Sequence, residues 1–165
     1  MSFLRFVSAG LLFVSCASFG FIRTEREKKK LGTIKGLITD LKEMEHEVRF
    51  GRWDTAVILS RLVSSGMEKD IWREAVRKSE KGGSFRRSLM DAVEKLIDPS
   101  VSELLGKHLP EVCSSDSCAE AERIRSAADY LNEYFSIRKA KSDEKNKLTL
   151  SLSILAGAAA AITVL

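Results

Sequence analysis

His108, Cys113 and Cys118 are the residues of this chain best equipped for chemistry. Imidazole nitrogen and thiolate sulfur both bind zinc, and Asp116 places an oxygen between the two cysteines. Structural zinc takes four such ligands in closely spaced pairs. Here the three stand five residues apart with an imperfect fourth, so the pattern reads as two ordinary thiols in a loop. A Cys113–Cys118 disulfide would belong to an oxidising compartment and is not expected in a reducing cytoplasm. Gly82-Gly83-Ser84 lacks the Gly-Lys-Ser/Thr ending of a phosphate-binding loop and reads as a turn. His46, between Glu45 and Glu47, has no partner at catalytic spacing. The expectation is therefore no enzyme, no catalytic residue, no cofactor and no metal.

The elements that carry these residues are set by two apolar ends. Of 165 residues, Phe6–Ile22 and Leu148–Leu165 are apolar, while the stretch between them is rich in Lys and Glu. Each end approaches the roughly 17–25 residues of a membrane-spanning helix. The sequence thus predicts a membrane helix over 1–22, a cytoplasmic domain over 23–147 and a second membrane helix over 148–165. Lys and Arg cluster on the inner flanks, from Arg23 to Lys30 and from Arg138 to Lys147. That bias places the middle domain in the cytoplasm and both termini outside, and it suits contact with anionic headgroups. The small residues Ala156 to Ala161 predict close packing of the second helix against another helix. A rival reading takes the first end as an export signal. Phe13-Val14-Ser15-Cys16 is similar to a lipoprotein cleavage site, and the product would be an exported helical protein lipid-anchored at Cys16. The basic run after Ile22 opposes export.

The middle reads as helix throughout. Leu31, Ile34, Leu37, Ile38, Leu41, Met44 and Val48 recur at threes and fours, and Phe50-Gly51 ends that stripe. A denser helix comes next, from Trp53 to Val63, ended by Ser64-Ser65-Gly66. A short one carries Ile71, Trp72, Ala75 and Val76. Ser84 is placed to cap a helix that buries Phe85, Leu89, Val93 and Leu96. Ser100-Val101-Ser102-Glu103 has the form of a capping box after Pro99, and Pro110 helps end that helix. The last helix starts near Ala119 and runs without Gly or Pro into the second apolar end. The fold class is all-α, a small bundle of about six helices flanked by two transmembrane helices. The mild net charge of +4, with Lys and Glu interleaved, gives no concentrated basic face for nucleic acid.

Several stretches together resemble the stage III sporulation protein AB family of endospore-forming bacteria. Glu47-Val48-Arg49-Phe50-Gly51 is similar to the family's Glu-Ile-x-Tyr-Gly. It closes a first helix that ends Leu41-Lys42-Glu43-Met44-Glu45-His46. Gly82-Gly83-Ser84-Phe85 then leads to Leu89, and a Lys/Arg-rich helix enters a C-terminal segment holding Leu155-Ala156-Gly157. The family's Leu-Gly-x-Ser-Asp stretch is replaced here by Leu109-Pro110 and the cysteine loop around Ser115-Asp116, with Glu120 near the family's Gln. The resemblance implies a domain like the cytoplasmic domain of type II secretion and type IV pilus platform proteins. It also implies a non-enzymatic role in the mother-cell membrane facing the forespore. There the protein would couple a secretion-type ATPase, stage III sporulation protein AA-like, to a channel-like complex between the two cells. Lys42, Glu43, Glu45 and Arg49, on the charged side of the first helix, are the residues expected to meet that partner. Membrane lipids and other components of the complex complete the expected contacts, and self-association is compatible with them.

Overall fold

Threes-and-fours spacing of large aliphatics builds the first helix, and no proline interrupts it before His46. A computed structural model describes residues 2–51, 55–82, 84–109 and 117–164. Six α-helices occur among them: α1 (Ser2–His46), α2 (Thr55–Ser65), α3 (Lys69–Ser79), α4 (Phe85–Leu96), α5 (Pro99–His108) and α6 (Ser117–Val164). A single π-helical turn, Glu47–Gly51, succeeds α1. No strand occurs among the described residues, so the expected all-α class holds. The first apolar end and the first amphipathic stripe are one continuous helix, and the last two expected segments are likewise one.

The chain divides into two compact units. One comprises Gly32–Ser136, the other Met1–Leu31 with Ile137–Leu165. In the first, the stripe residues Ile34, Leu37, Leu41 and Met44 are buried with Trp72, Leu89, Val93, Leu105, Ile124 and Leu131. This is the helical bundle the periodicity demands. The helix over 53–63 is realised as α2, with Trp53 outside the described residues. Gly82, at φ 95°, makes the turn before α4, and the Ser84 carbonyl at the N-cap accepts from Ser88 N–H at 2.9 Å.

The capping box at Ser100 is not what starts α5. Asp98 holds the N-cap, its Oδ1 accepting from Ser100 N–H at 3.1 Å, and Pro99 takes the first helical position. Proline has no N–H to satisfy and a φ already helical, so the start moves two residues upstream. Glu103 bonds Lys107 Nζ at 2.8 Å. Leu109 ends α5 in extended geometry, as suits a residue before proline.

A buried carboxylate ties the bundle's helices together. Asp40, on α1, is fully buried. Its Oδ1 accepts from Met67 N–H at 2.7 Å, and its Oδ2 from Glu68 N–H at 2.9 Å and Trp72 Nε1–H at 2.6 Å. The first two donors precede α3, where backbone N–H groups lack helical partners and the helix dipole favours negative charge. Trp72 is itself completely buried, so its indole N–H needs this acceptor.

The second unit pairs the N-terminal part of α1 with the C-terminal part of α6. Gly20 lies against Ser153, where a Cβ would come within 2.5 Å of Oγ, and Glu27 lies 3.7 Å from Arg138. The two segments are therefore antiparallel. Gly20, Thr24, Ser142 and Gly157 are buried, whereas Phe21, Ile22, Leu148, Leu152 and Leu155 are exposed. Within the small-residue stretch Gly157 is buried and Ala156 and Ala159 are exposed, while residues 160 and 161 lie outside the described side chains. Among the described residues no helix is long and apolar enough to cross a membrane. The stretches 6–22 and 148–165 fall in part outside the described side chains.

Replacing Asp40 by Ala leaves three donors without their acceptor. The full chain should lose about 3 kcal/mol or more of stability, given about 1–3 kcal/mol for each buried group left unsatisfied. Chemical denaturation monitored by circular dichroism measures this. An unchanged midpoint would show that the carboxylate does not tie α1 to α3.

Candidate interaction site

The end of α1 presents the charged face that the sequence singled out. Burial of Leu37, Leu41 and Met44 turns Lys42 and Glu43 outward, and both are exposed. Glu45 and Arg49 are half-buried and pair with each other, Arg49 Nε lying 3.0 Å from Glu45 Oε1. Two of the four expected residues thus present free charge at the surface, and two shape it. The π turn adds one residue per turn and so rotates the residues beyond it relative to an α-helix. Val48 still packs on the core, and Phe50 is left 68% exposed. The Phe50 ring lies over His46, with centroids 5.1 Å apart. From α2, Arg61 ion-pairs with Glu47 and holds the turn to the bundle. An exposed aromatic, an imidazole and two exposed charges of opposite sign stand together at this corner.

Sequence reasoning missed a second feature, the carboxyl pair at the start of α3. Glu68 stands beside Asp40 with its side chain over Gly36 of α1, where a Cβ would overlap the carboxylate. Burial, then the negative charges of Asp40 and Asp70, push the Glu68 carboxyl from its usual 4.5 up to about 7. A local clue existed in Gly36, a glycine inside a strong helical stripe, which often marks close approach. Nothing in the sequence pointed to Glu68 as its neighbour.

The residues weighed for metal do not assemble. His108 stacks on Tyr130, with ring centroids 3.9 Å apart. Cys118 is exposed at the start of α6, while Cys113 and Asp116 lie outside the described residues. Among the described residues no three metal-binding side chains come together. The side chain of Cys16, on which the lipid-anchor reading turns, also lies outside them.

The fold and this surface define an all-α protein whose two longest helices each contribute to a water-type bundle and to an apolar-faced helix pair. The chain belongs to the stage III sporulation protein AB family, whose model matches residues 5–165, nearly its whole length. The resemblance read from the motifs is therefore borne out, and this is a sporulation family that is not a known enzyme family. No curated protein and no solved structure matches the chain.

The raised Glu68 value gives a pH test. The folded state holds this proton more tightly than the unfolded chain between about pH 4.5 and 7. The group's stabilising contribution is present below that window and is lost as pH rises through it. Glu68→Gln keeps the shape and removes the titration. Thermal midpoints of the wild type should fall relative to those of the variant between pH 4.5 and pH 7.5. Parallel profiles would remove Glu68 as the source of any slope.

Proposed function

We propose that the protein is a non-enzymatic membrane platform of a sporulation-stage, secretion-like complex. It couples a cytoplasmic ATPase to a channel between mother cell and forespore. The observation that carries the membrane part is the reversed packing of the helix pair. Small and hydroxyl residues lie between the helices, and Leu152, 64% exposed, and its apolar neighbours face outward. Water would favour the opposite arrangement. In lipid, which solvates apolar side chains, close approach of small residues is what holds helices together. The buried hydroxyls are satisfied within their own helices, Thr24 Oγ1 donating to the Gly20 carbonyl at 3.0 Å and Ser142 Oγ accepting from Asn146 Nδ2–H at 3.1 Å. Lys and Arg beside the apolar stretches favour a cytoplasmic bundle, with both termini on the far side.

The partner-facing surface on this reading is the α1–π-turn corner, with Lys42, Glu43, His46 and Phe50 outward and the Glu45–Arg49 pair beneath. An exposed aromatic rimmed by charge is the composition of an interface centre. Full-length protein in detergent should capture the stage III sporulation protein AA-like ATPase of the same organism. Phe50→Ser should weaken that capture by about tenfold while leaving helicity unchanged, as expected of an anchor residue. Failure of the wild type to capture the ATPase would sink the coupling role.

Topology has its own test. In a Cys16→Ser background, a membrane-impermeant maleimide should leave Cys118 unlabelled in intact cells and label it after lysis. Labelling of Cys118 in intact cells would place the bundle outside and overturn the platform reading.

A further inference from the structure

The chain's positive charge is not spread over the molecule. The Gly32–Ser136 unit holds sixteen Lys and Arg against nineteen Asp and Glu, a net −3. The helix-pair unit holds eleven against four, a net +7, so it supplies more than the whole +4 of the protein. Ten of those eleven cations and all four acidic residues fall in two short stretches, 23–30 of α1 and 138–147 of α6, a net +6. Antiparallel pairing brings the stretches side by side, with Arg138 at 3.7 Å from Glu27. The result is a basic collar around one level of the pair. Lys28, Lys30, Lys141 and Lys145 are all exposed on it.

The collar begins where exposed apolar surface stops. Phe21 and Ile22 precede Arg23 on α1, and Leu148 comes directly after Lys147 on α6, all three exposed. At 1.5 Å per residue the collar is about 12–15 Å tall, enough to span the headgroup layer of roughly 5–8 Å on one side of a bilayer. A nucleic acid would gain from the charge alone and would leave the adjoining apolar rings in water. An anionic lipid meets both surfaces at once, its phosphate on the collar and its chains on Ile22 and Leu148.

We propose that the 23–30/138–147 collar binds anionic phospholipid headgroups and selects these lipids as the protein's immediate neighbours. This rests on the membrane reading of the helix pair. Near a bilayer surface each Lys or Arg favours anionic lipid by an amount that screening reduces.

Full-length protein is reconstituted from detergent into phosphatidylcholine vesicles containing a few per cent of a spin-labelled lipid, either phosphatidylglycerol or phosphatidylcholine. The motionally restricted fraction reports lipid in contact with the protein. At low salt the labelled phosphatidylglycerol should be enriched about threefold or more over labelled phosphatidylcholine. That enrichment should fall in high salt, and a Lys139→Gln, Lys141→Gln, Lys145→Gln, Lys147→Gln variant should at least halve it. The wild-type salt series stands without the variant, should the variant fail to fold. Protein stripped from the vesicles by alkaline carbonate overturns the membrane reading itself. Protein that resists stripping yet contacts both labels equally overturns the collar proposal alone. Displacement of the labelled phosphatidylglycerol by added duplex DNA would overturn it in favour of a nucleic-acid surface.

Discussion

The bundle depends on one carboxylate. Asp40 is fully buried, and taking its charge out of water would cost several kcal/mol if it found no partners. It finds three N–H donors, two of them on the backbone just ahead of α3 and the third on Trp72. Charge-assisted bonds of this kind are about twice as strong as neutral ones. They also fix geometry, since both carboxylate oxygens are committed at once. With Asp40 in place, the α2–α3 corner is docked on α1 and Trp72 is oriented in the core. One turn earlier, Gly36 leaves room for Glu68. Positions 36 and 40 thus share a helix face and serve the same joint.

The same two helices obey opposite rules in the two units. From Ile34 onward α1 buries large aliphatics, as a helix in water must. Before Leu31 the buried positions among its described side chains are Gly20 and Thr24, and the exposed ones include Phe21 and Ile22. In α6 the change runs the other way, from buried Ile124 and Leu131 to buried Ser142 and Gly157. On the proposed membrane reading, solvent chemistry accounts for the switch. The charge obeys the same division, acidic excess on the bundle and basic excess beside the apolar rings. On the proposed reading, the bundle supplies the partner-facing surface and the helix pair the lipid-facing one.

Legibility in the sequence depends on how local the cause of each feature is. Periodicity and turn residues are local, so the stripe of α1, the position of α3 and the break at Gly82 can be read directly. Two overlapping cap signals misplace the start of α5. Ser100 to Glu103 fits a box, but Asp98 before Pro99 forms a stronger start from residues equally near. Asp40 cannot be read at all. On α1 it is one more acidic residue near Lys42 and Glu43, and its burial exists only once α3 arrives 27 residues later to supply donors. The neighbour of Ser153 is invisible for the same reason, since Gly20 lies far away in sequence. Of the expected partner-binding residues, Lys42 and Glu43 face outward as the helical pattern requires. The mutual pairing of Glu45 and Arg49 results from their four-residue spacing.

The α1–π-turn corner shows how weak interactions define a surface. Exposed or half-exposed ion pairs such as Glu45–Arg49 and Glu47–Arg61 are each worth about 0–1 kcal/mol, so they contribute little to holding the bundle together. Their effect is directional. Arg61 fixes the turn from α2, and the Glu45–Arg49 pair spans the end of α1 into the turn. Between them Phe50 is held outward against His46 rather than folding back onto Val48 and the core. Leaving a phenylalanine in water costs about 1.5–3 kcal/mol relative to burying it. Two ion pairs of that size could not hold it there if the core had room. The adjoining core is occupied by Leu41, Met44, Ile58 and Leu62, all buried. The exposed aromatic thus borders a core whose α1–α3 joint the buried Asp40 carboxylate fixes.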